Sequence, residues 1–106
     1  MSYRYMRLLV FFDLPTESAS DRREYARFRK ALIKNGFMMM QKSVYCKLAL
    51  TQSGVETALE AVRRSKPPKG VIQSLIITEK QYSRMEFILG THKGDILDSD
   101  ERFVEL

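Results

Sequence analysis

The segment that most limits the fold is residues 6–12, MRLLVFF, in which Arg7 is the one polar residue. Side chains alternate between the two faces of a strand, and both faces are apolar here, so the segment is typical of a central strand covered on both sides. It ends at Asp13, and Pro15 then stops it. The apolar stretch is too short for a signal-peptide core or a membrane span, and we expect no contact with a membrane.

The next segment, residues 18–35, has the periodicity of an amphipathic helix, and Gly36 is a typical helix stop. One side of its helical wheel is apolar: Tyr25, Phe28 and Leu32. Residues 37–41 form a second apolar run, whose methionines we interpret as core strand, and residues 43–50 alternate as a strand does. We expect the two strands to form a tight hairpin around Lys42.

A second helix is predicted by the capping-box pattern of Ser53 and Glu56. Its apolar stripe has helical spacing: Val55, Ala58, Leu59 and Val62. The segment 65–70, SKPPKG, ends it. We predict four further elements: a strand at 71–78, one helical turn at 78–84, a short strand at 85–89 and a terminal strand at 102–106.

The order of these elements, β-α-β-β-α-β, predicts an α+β fold, a ferredoxin-like sandwich with an extra C-terminal strand. We interpret residues 1–106 as a single domain, in line with their number. Two helices cover one face of the sheet, yet the first and last core strands are apolar on both faces. Because so large an apolar patch is rarely left exposed, we predict that a second copy covers it in a homodimer.

Positive charge is concentrated in the first half of the chain. Residues 1–50 hold ten bases and four acids, whereas residues 51–106 hold eight and nine. On the first helix, four bases lie opposite the apolar stripe and form what we call the basic ridge: Arg23, Arg27, Lys30 and Lys34. Arg22 and Arg29 flank it. Such a ridge is suited to the phosphates of a nucleic-acid backbone, independently of base sequence, although a solvated helix face has the same pattern.

A second group of bases surrounds the end of the second helix: Arg63, Arg64, Lys66 and Lys69. It is either a further nucleic-acid contact or a complement to the negative end of the helix dipole.

Asp13 is the candidate for chemistry, because side chains at the point where a strand enters a loop are often functional. The simpler interpretation is that Asp13 caps the following turn. One carboxylate is too few for an all-protein Mg²⁺ site. In a symmetric dimer, however, two Asp13 side chains could share one Mg²⁺ and activate water against a phosphodiester.

Cys46 is the single cysteine, so an internal disulfide or a cysteine-based zinc site is excluded within one chain. We therefore expect the protein to be cytoplasmic.

Three stretches, MRLLVFFDLP at 6–15, NGF at 35–37 and QKSVY at 41–45, resemble the small CRISPR-associated adaptation protein that partners the CRISPR integrase. Two more, TEKQYSRM at 78–85 and SDER at 99–102, are similar to its type II-A form. Phe12 departs from the family pattern, in which tyrosine is common at this position. The resemblance covers nearly the whole chain.

The resemblance implies a ferredoxin-like homodimer in which the terminal strand of one copy extends the sheet of the other. It implies a scaffold that joins integrase subunits in a heterohexamer and holds double-stranded prespacer DNA during spacer acquisition, a step of antiviral defence. It also implies a Mg²⁺-dependent endonuclease acting on RNA or DNA, with Asp13 as the metal ligand.

Two alternatives remain at this point. One is a stand-alone metal-dependent ribonuclease, like the toxin relatives of this fold. The other is a regulatory ferredoxin-like module for a small ligand, which the lack of a glycine-rich loop disfavours.

Overall fold

The computed structural model describes residues 5–91. Its elements in chain order are β1 (Met6–Asp13), α1 (Ala19–Lys34), β2 (Met38–Gln41), β3 (Val44–Ala49), α2 (Gln52–Ser65), β4 (Val71–Thr78) and α3 (Glu79–Ser83). The strands form one antiparallel sheet in the order β2-β3-β1-β4. The predicted ferredoxin-like fold is confirmed, and β1 is a central strand as its apolar sequence indicated.

The core lies between this sheet and the two long helices. Alternate residues of β1 point into it: Leu8, Val10 and Phe12. They pack with Phe28 and Leu32 of α1 and with Ala58 and Val62 of α2. The Phe12 ring contacts Phe28 edge-on, with 5.2 Å between the centroids. Phe12, the residue before Asp13, is therefore fixed in the core, which anchors the end of β1.

Both ends of α1 are closed by local hydrogen bonds. The Ser18 hydroxyl accepts a hydrogen bond from the Asp21 amide at 3.0 Å, and an Asp21 carboxylate oxygen accepts one from the Ser18 amide at 3.3 Å. Asn35 caps the other end, and Gly36 follows with a φ of 91°. This reciprocal cap and the glycine stop confirm the predicted helix and define its two ends.

The predicted start of α2 was wrong by two residues. Thr51, not Ser53, is the N-cap, and its hydroxyl accepts a hydrogen bond from the Gly54 amide at 3.0 Å. Thr51 has the extended backbone that a cap requires, and Val55, the fourth residue of the helix, is fully buried. The predicted apolar stripe of α2 is confirmed.

The methionine run forms a strand, but it is not core. Met38 and Met39 are 63% and 49% exposed because β2 lies at the edge of the sheet. The run also contains a register shift between Met39 and Gln41. The tight turn around Lys42 is confirmed, since β2 ends at Gln41 and β3 begins at Val44.

After β4, the predicted helical turn is present as α3, whereas the strand predicted at 85–89 is absent from the described chain. Ile88 and Leu89 are 89% and 93% exposed. A short, mostly apolar segment was not sufficient here, because a strand also needs a neighbouring backbone to pair with. The strand predicted at 102–106 lies outside the described residues.

The sheet face opposite the two long helices is partly covered. Leu9, Cys46 and Leu75 share this face by their pairing register. Leu48, Val71 and Leu75 remain 43%, 57% and 51% exposed, while α3 lies against the end near Arg7. We call this surface the open face. Within residues 5–91, the structure contains no helix long and apolar enough to cross a membrane.

Candidate nucleic-acid interface and strand-end carboxylate

Asp13 is the last residue of β1, and it is exposed. It pairs with Val71, the first residue of β4, while the amide of the preceding Phe12 donates to the Ser43 carbonyl oxygen at 3.1 Å. Three strand ends therefore meet around Asp13. Together they line a surface depression of about 230 Å³ that includes Ser43, Val71 and Gln73.

Gly70 is held directly against the backbone of this strand end. Its φ is +108°, and a Cβ atom at this position would lie 2.8 Å from the Asp13 carbonyl oxygen and 3.1 Å from the Leu14 Cα. Only glycine fits such an approach without strain. In the sequence, Gly70 is the last residue of the helix-breaking segment 65–70, and its place directly before a strand was the one signal of this contact.

Lys69, the neighbour of Gly70, forms an ion pair with Asp21. Its Nζ lies 3.1 Å from the Asp21 Oδ1. The hydrogen bond from Lys69, together with that from the Ser18 backbone, holds the pKa of Asp21 below its usual value. The sequence suggested Lys69 as a nucleic-acid contact or a dipole complement, and the structure adds a link from the α2–β4 loop to the start of α1.

The donor set around Asp13 fits a metal only in part. Among residues 5–91, no three acidic, histidine or cysteine side chains are grouped as a metal site. One carboxylate is nevertheless a sufficient protein share for a Mg²⁺ that keeps most of its waters and is completed by another carboxylate or by substrate phosphates. Asp13 therefore suits a shared site rather than a closed one.

The basic ridge is exposed along its whole length, on the side of α1 opposite Phe28 and Leu32. Arg27 is paired with Glu24 at 2.8 Å. The side chains of Arg23, Lys30 and Lys34 have no hydrogen bond or ion pair with any described residue. These three cations are therefore available for a polyanion, and Arg27 is partly neutralised.

Arg22 has a local role that the sequence did not reveal. Its Nη1 donates to the carbonyl oxygens of Thr16 and Glu17 at 3.1 and 3.0 Å, although the residue is exposed. It thereby stabilises the loop that joins Asp13 to α1. Its predicted contact with nucleic acid stays a prediction.

The second group of bases is spread around a groove of about 320 Å³ between α2 and β4, lined in part by Arg63, Lys66 and Lys69. Arg63 is 3.4 Å from Glu60, and Lys66 donates to the Arg63 carbonyl oxygen at 3.5 Å. Several of its charges are thus engaged within the chain, and this group is the weaker candidate surface.

A polar cluster at the other end of β1, about 20 Å from Asp13 along the strand, was not predicted from the sequence. Arg7 donates to both carboxylate oxygens of Glu79 at 2.7 and 3.1 Å and lies 4.1 Å from the centre of the Tyr82 ring. Its hydrogen bonds lower the pKa of Glu79, and burial raises the pKa of the nearby Cys46 thiol. Through Glu79 and Tyr82, this cluster holds α3 against the open face.

These features define a class: a ferredoxin-like α+β protein with an exposed carboxylate at the end of its first strand and a basic face on its first helix. Comparison with known proteins narrows the class. The family model described as CRISPR associated protein Cas2 matches residues 6–85. This chain belongs to the Cas2 family of CRISPR-associated proteins, which confirms the resemblance found in the sequence.

Relatives of the same family align over nearly the whole chain. A protein of Treponema denticola is 48% identical over 95% of this chain and 100% of its own length. One of Lacticaseibacillus rhamnosus is 46% identical over 93% and 98%. Both are named CRISPR-associated endoribonuclease Cas2. A solved structure described as "Crystal structure of cas2" has a TM-score of 0.59 at 17% identity, covering 84% of this chain and 91% of that one, and it supports the fold alone.

Proposed function

We propose that this protein binds double-stranded prespacer DNA as the non-integrase scaffold subunit of the CRISPR spacer-acquisition complex. The observation that carries the proposal is the basic ridge, in which Arg23, Lys30 and Lys34 are exposed and without a partner among the described residues. A scaffold must accept prespacers of any sequence, and contacts to phosphates alone meet that need.

The proposed complex has two copies of this chain at its centre. The apolar open face favours a homodimer, with Leu48, Val71 and Leu75 covered by the second copy. Integrase subunits then bind at both ends to form a heterohexamer. The complex acts in the cytoplasm, where the CRISPR array lies.

Phosphodiester cleavage is the second candidate function. It is favoured by the exposed Asp13 carboxylate in its depression and by the relatives' names, which describe endoribonucleases acting on RNA. The Asp13 side chains of two copies would hold one Mg²⁺. When bound, this ion would stabilise the developing negative charge and activate a water molecule for the attack. RNA and DNA are both candidate substrates.

The two functions separate in the variant Asp13→Asn, which keeps the size of the side chain and removes its charge. We expect this variant to acquire spacers at the wild-type rate in cells and to lose Mg²⁺-dependent cleavage by at least roughly a hundredfold, the scale of losing an electrostatic contact in a reacting site. The measurements are sequencing of new spacers and a nuclease assay with purified protein.

Each of the two functions has a result that would contradict it. Undiminished cleavage by Asp13→Asn would exclude the carboxylate mechanism. Unchanged acquisition after removing the ridge charges Arg23, Lys30 and Lys34 would exclude the ridge as the DNA contact.

A further inference from the structure

We propose that Lys69 is a positioning residue for the Asp13 carboxylate, acting through its ion pair with Asp21 and through Gly70. The inference rests on Asp13 being the metal-binding carboxylate of the second candidate function. It assigns a role to a lysine that the sequence grouped with possible nucleic-acid contacts.

The Asp13 side chain has no hydrogen bond or ion pair with any residue that the structure describes. No hydrogen bond or ion pair to a described side chain therefore sets its direction. The position of this carboxylate follows from the backbone at the end of β1, so whatever holds that backbone also aims the carboxylate.

Two contacts hold this backbone from opposite sides. On the β3 side, the Phe12 amide donates to the Ser43 carbonyl oxygen at 3.1 Å. On the β4 side, Val71 pairs with Asp13, and Gly70 is so close that an added Cβ would lie 2.8 Å from the Asp13 carbonyl oxygen. The second contact depends on the loop that ends in Gly70.

Lys69 links that loop to Asp21 in the first turn of α1. Its Nζ lies 3.1 Å from Oδ1 of Asp21, whose other oxygen accepts from the Ser18 amide. The Asp21 side chain is only 10% exposed, whereas the Lys69 side chain is 68% exposed. An ion pair with one partner in water contributes little to overall stability, so its loss loosens the loop without unfolding the protein.

The test compares Lys69→Met with Lys66→Met. Lys66 lines the same groove and carries the same charge, but its Nζ contacts a backbone carbonyl at the end of α2 instead of Asp21. We expect amide hydrogen exchange at residues 13, 14 and 71 to accelerate about fivefold in Lys69→Met and to stay unchanged in Lys66→Met. Lys69→Arg, which keeps the charge and the reach, should restore wild-type exchange.

A second readout is the Mg²⁺ concentration needed for half-maximal cleavage. It should rise about fivefold in Lys69→Met and be restored in Lys69→Arg, because a less fixed carboxylate binds the ion more weakly. Equal exchange rates in the Met variants of Lys69 and Lys66 would overturn the inference, as would faster exchange with an unchanged Mg²⁺ requirement. A wild-type protein that does not cleave would remove the nuclease proposal, while exchange still decides whether Lys69 holds the strand end.

Discussion

Gly70 shows how a single residue sets the geometry of the strand-end site. Its positive φ and its close approach to the carbonyl oxygen of Asp13 leave no room for a side chain. Gly36 has a positive φ as well, but a Cβ there would meet only the flexible end of Lys47. The two glycines therefore separate the energy of backbone strain from the energy of a backbone clash.

We expect Gly36→Ala to lower the free energy of unfolding by about 1 kcal/mol, the cost of the left-handed conformation. Gly70→Ala should lower it by more, roughly 3 kcal/mol, because the clash is with backbone atoms that cannot move aside. Urea unfolding of the two variants measures this difference. Equal losses would mean that the approach of Gly70 to Asp13 is not constrained.

At this scale the sequence predicts some roles and not others. The exposed position of Asp13 at the end of β1 could be predicted, because a carboxylate after an apolar run is a local pattern. The contacts of Gly70 with Asp13 and of Lys69 with Asp21 could not, because they join residues about fifty positions apart in the chain. The sequence shows Arg7 as the one polar residue in an apolar strand. Its partner Glu79 could not be predicted, because the sequence pattern does not determine where α3 packs.

Among the elements, α3 has the least expected position. The sequence predicted one helical turn at 78–84 but not that it would lie against the open face. The Arg7–Glu79 ion pair holds it there, with both side chains less than one-third exposed. The same lack of long-range information explains why β2 was predicted as core and residues 85–89 as a strand: which strand lies at an edge is set by pairing, not by local periodicity.

The Arg7–Glu79 pair predicts a specific pH dependence. Because hydrogen bonds from Arg7 place the folded-state pKa of Glu79 below its usual value of 4.5, the pair stabilises the fold fully above that pH. The stabilisation is lost as the pH falls through the lowered pKa. Wild-type protein should exceed Glu79→Gln in stability by about 1 kcal/mol at pH 7 and by nothing at strongly acid pH.

Urea unfolding between pH 7 and pH 2 measures the difference, and Glu60→Gln is the control. Glu60 is also paired with an arginine, but both side chains are more than half exposed, so its replacement should have almost no effect at any pH. A constant difference between wild type and Glu79→Gln would show that the ion pair does not stabilise the fold.

At the scale of the whole molecule, the basic ridge belongs to the helix layer, whereas the open face is the side of the sheet turned away from the two long helices. The ridge is on a helix that covers one face of the sheet, and the proposed dimer contact is on the other face. A second copy can therefore cover the apolar strands while both ridges stay accessible. The sequence predicted this division from the β-α-β-β-α-β order, since two helices cover one face of a four-stranded sheet.

Replacing Leu75 by aspartate tests the proposed dimer contact. The control is Ile33→Asp, because Ile33 is also 51% exposed but lies on α1. We expect Leu75→Asp to weaken dimerisation at least roughly a hundredfold, since it buries an unpaired carboxylate, and Ile33→Asp to leave the dimer intact. Light scattering at micromolar concentration measures this, and a wild-type monomer would contradict the proposed assembly.

The central claim is that the ridge on α1 is the DNA contact, and the salt dependence of duplex binding tests it most directly. The ridge variant replaces Arg23, Lys30 and Lys34 by glutamine, and the control replaces three exposed bases outside both basic groups, Lys42, Lys80 and Arg84, by glutamine. For each ridge that contacts the duplex, we expect the slope of log affinity against log salt to lose about 3 in magnitude in the ridge variant and less than about 1 in the control. Equal decreases in the two variants would contradict the claim, because binding would then follow net charge rather than the ridge.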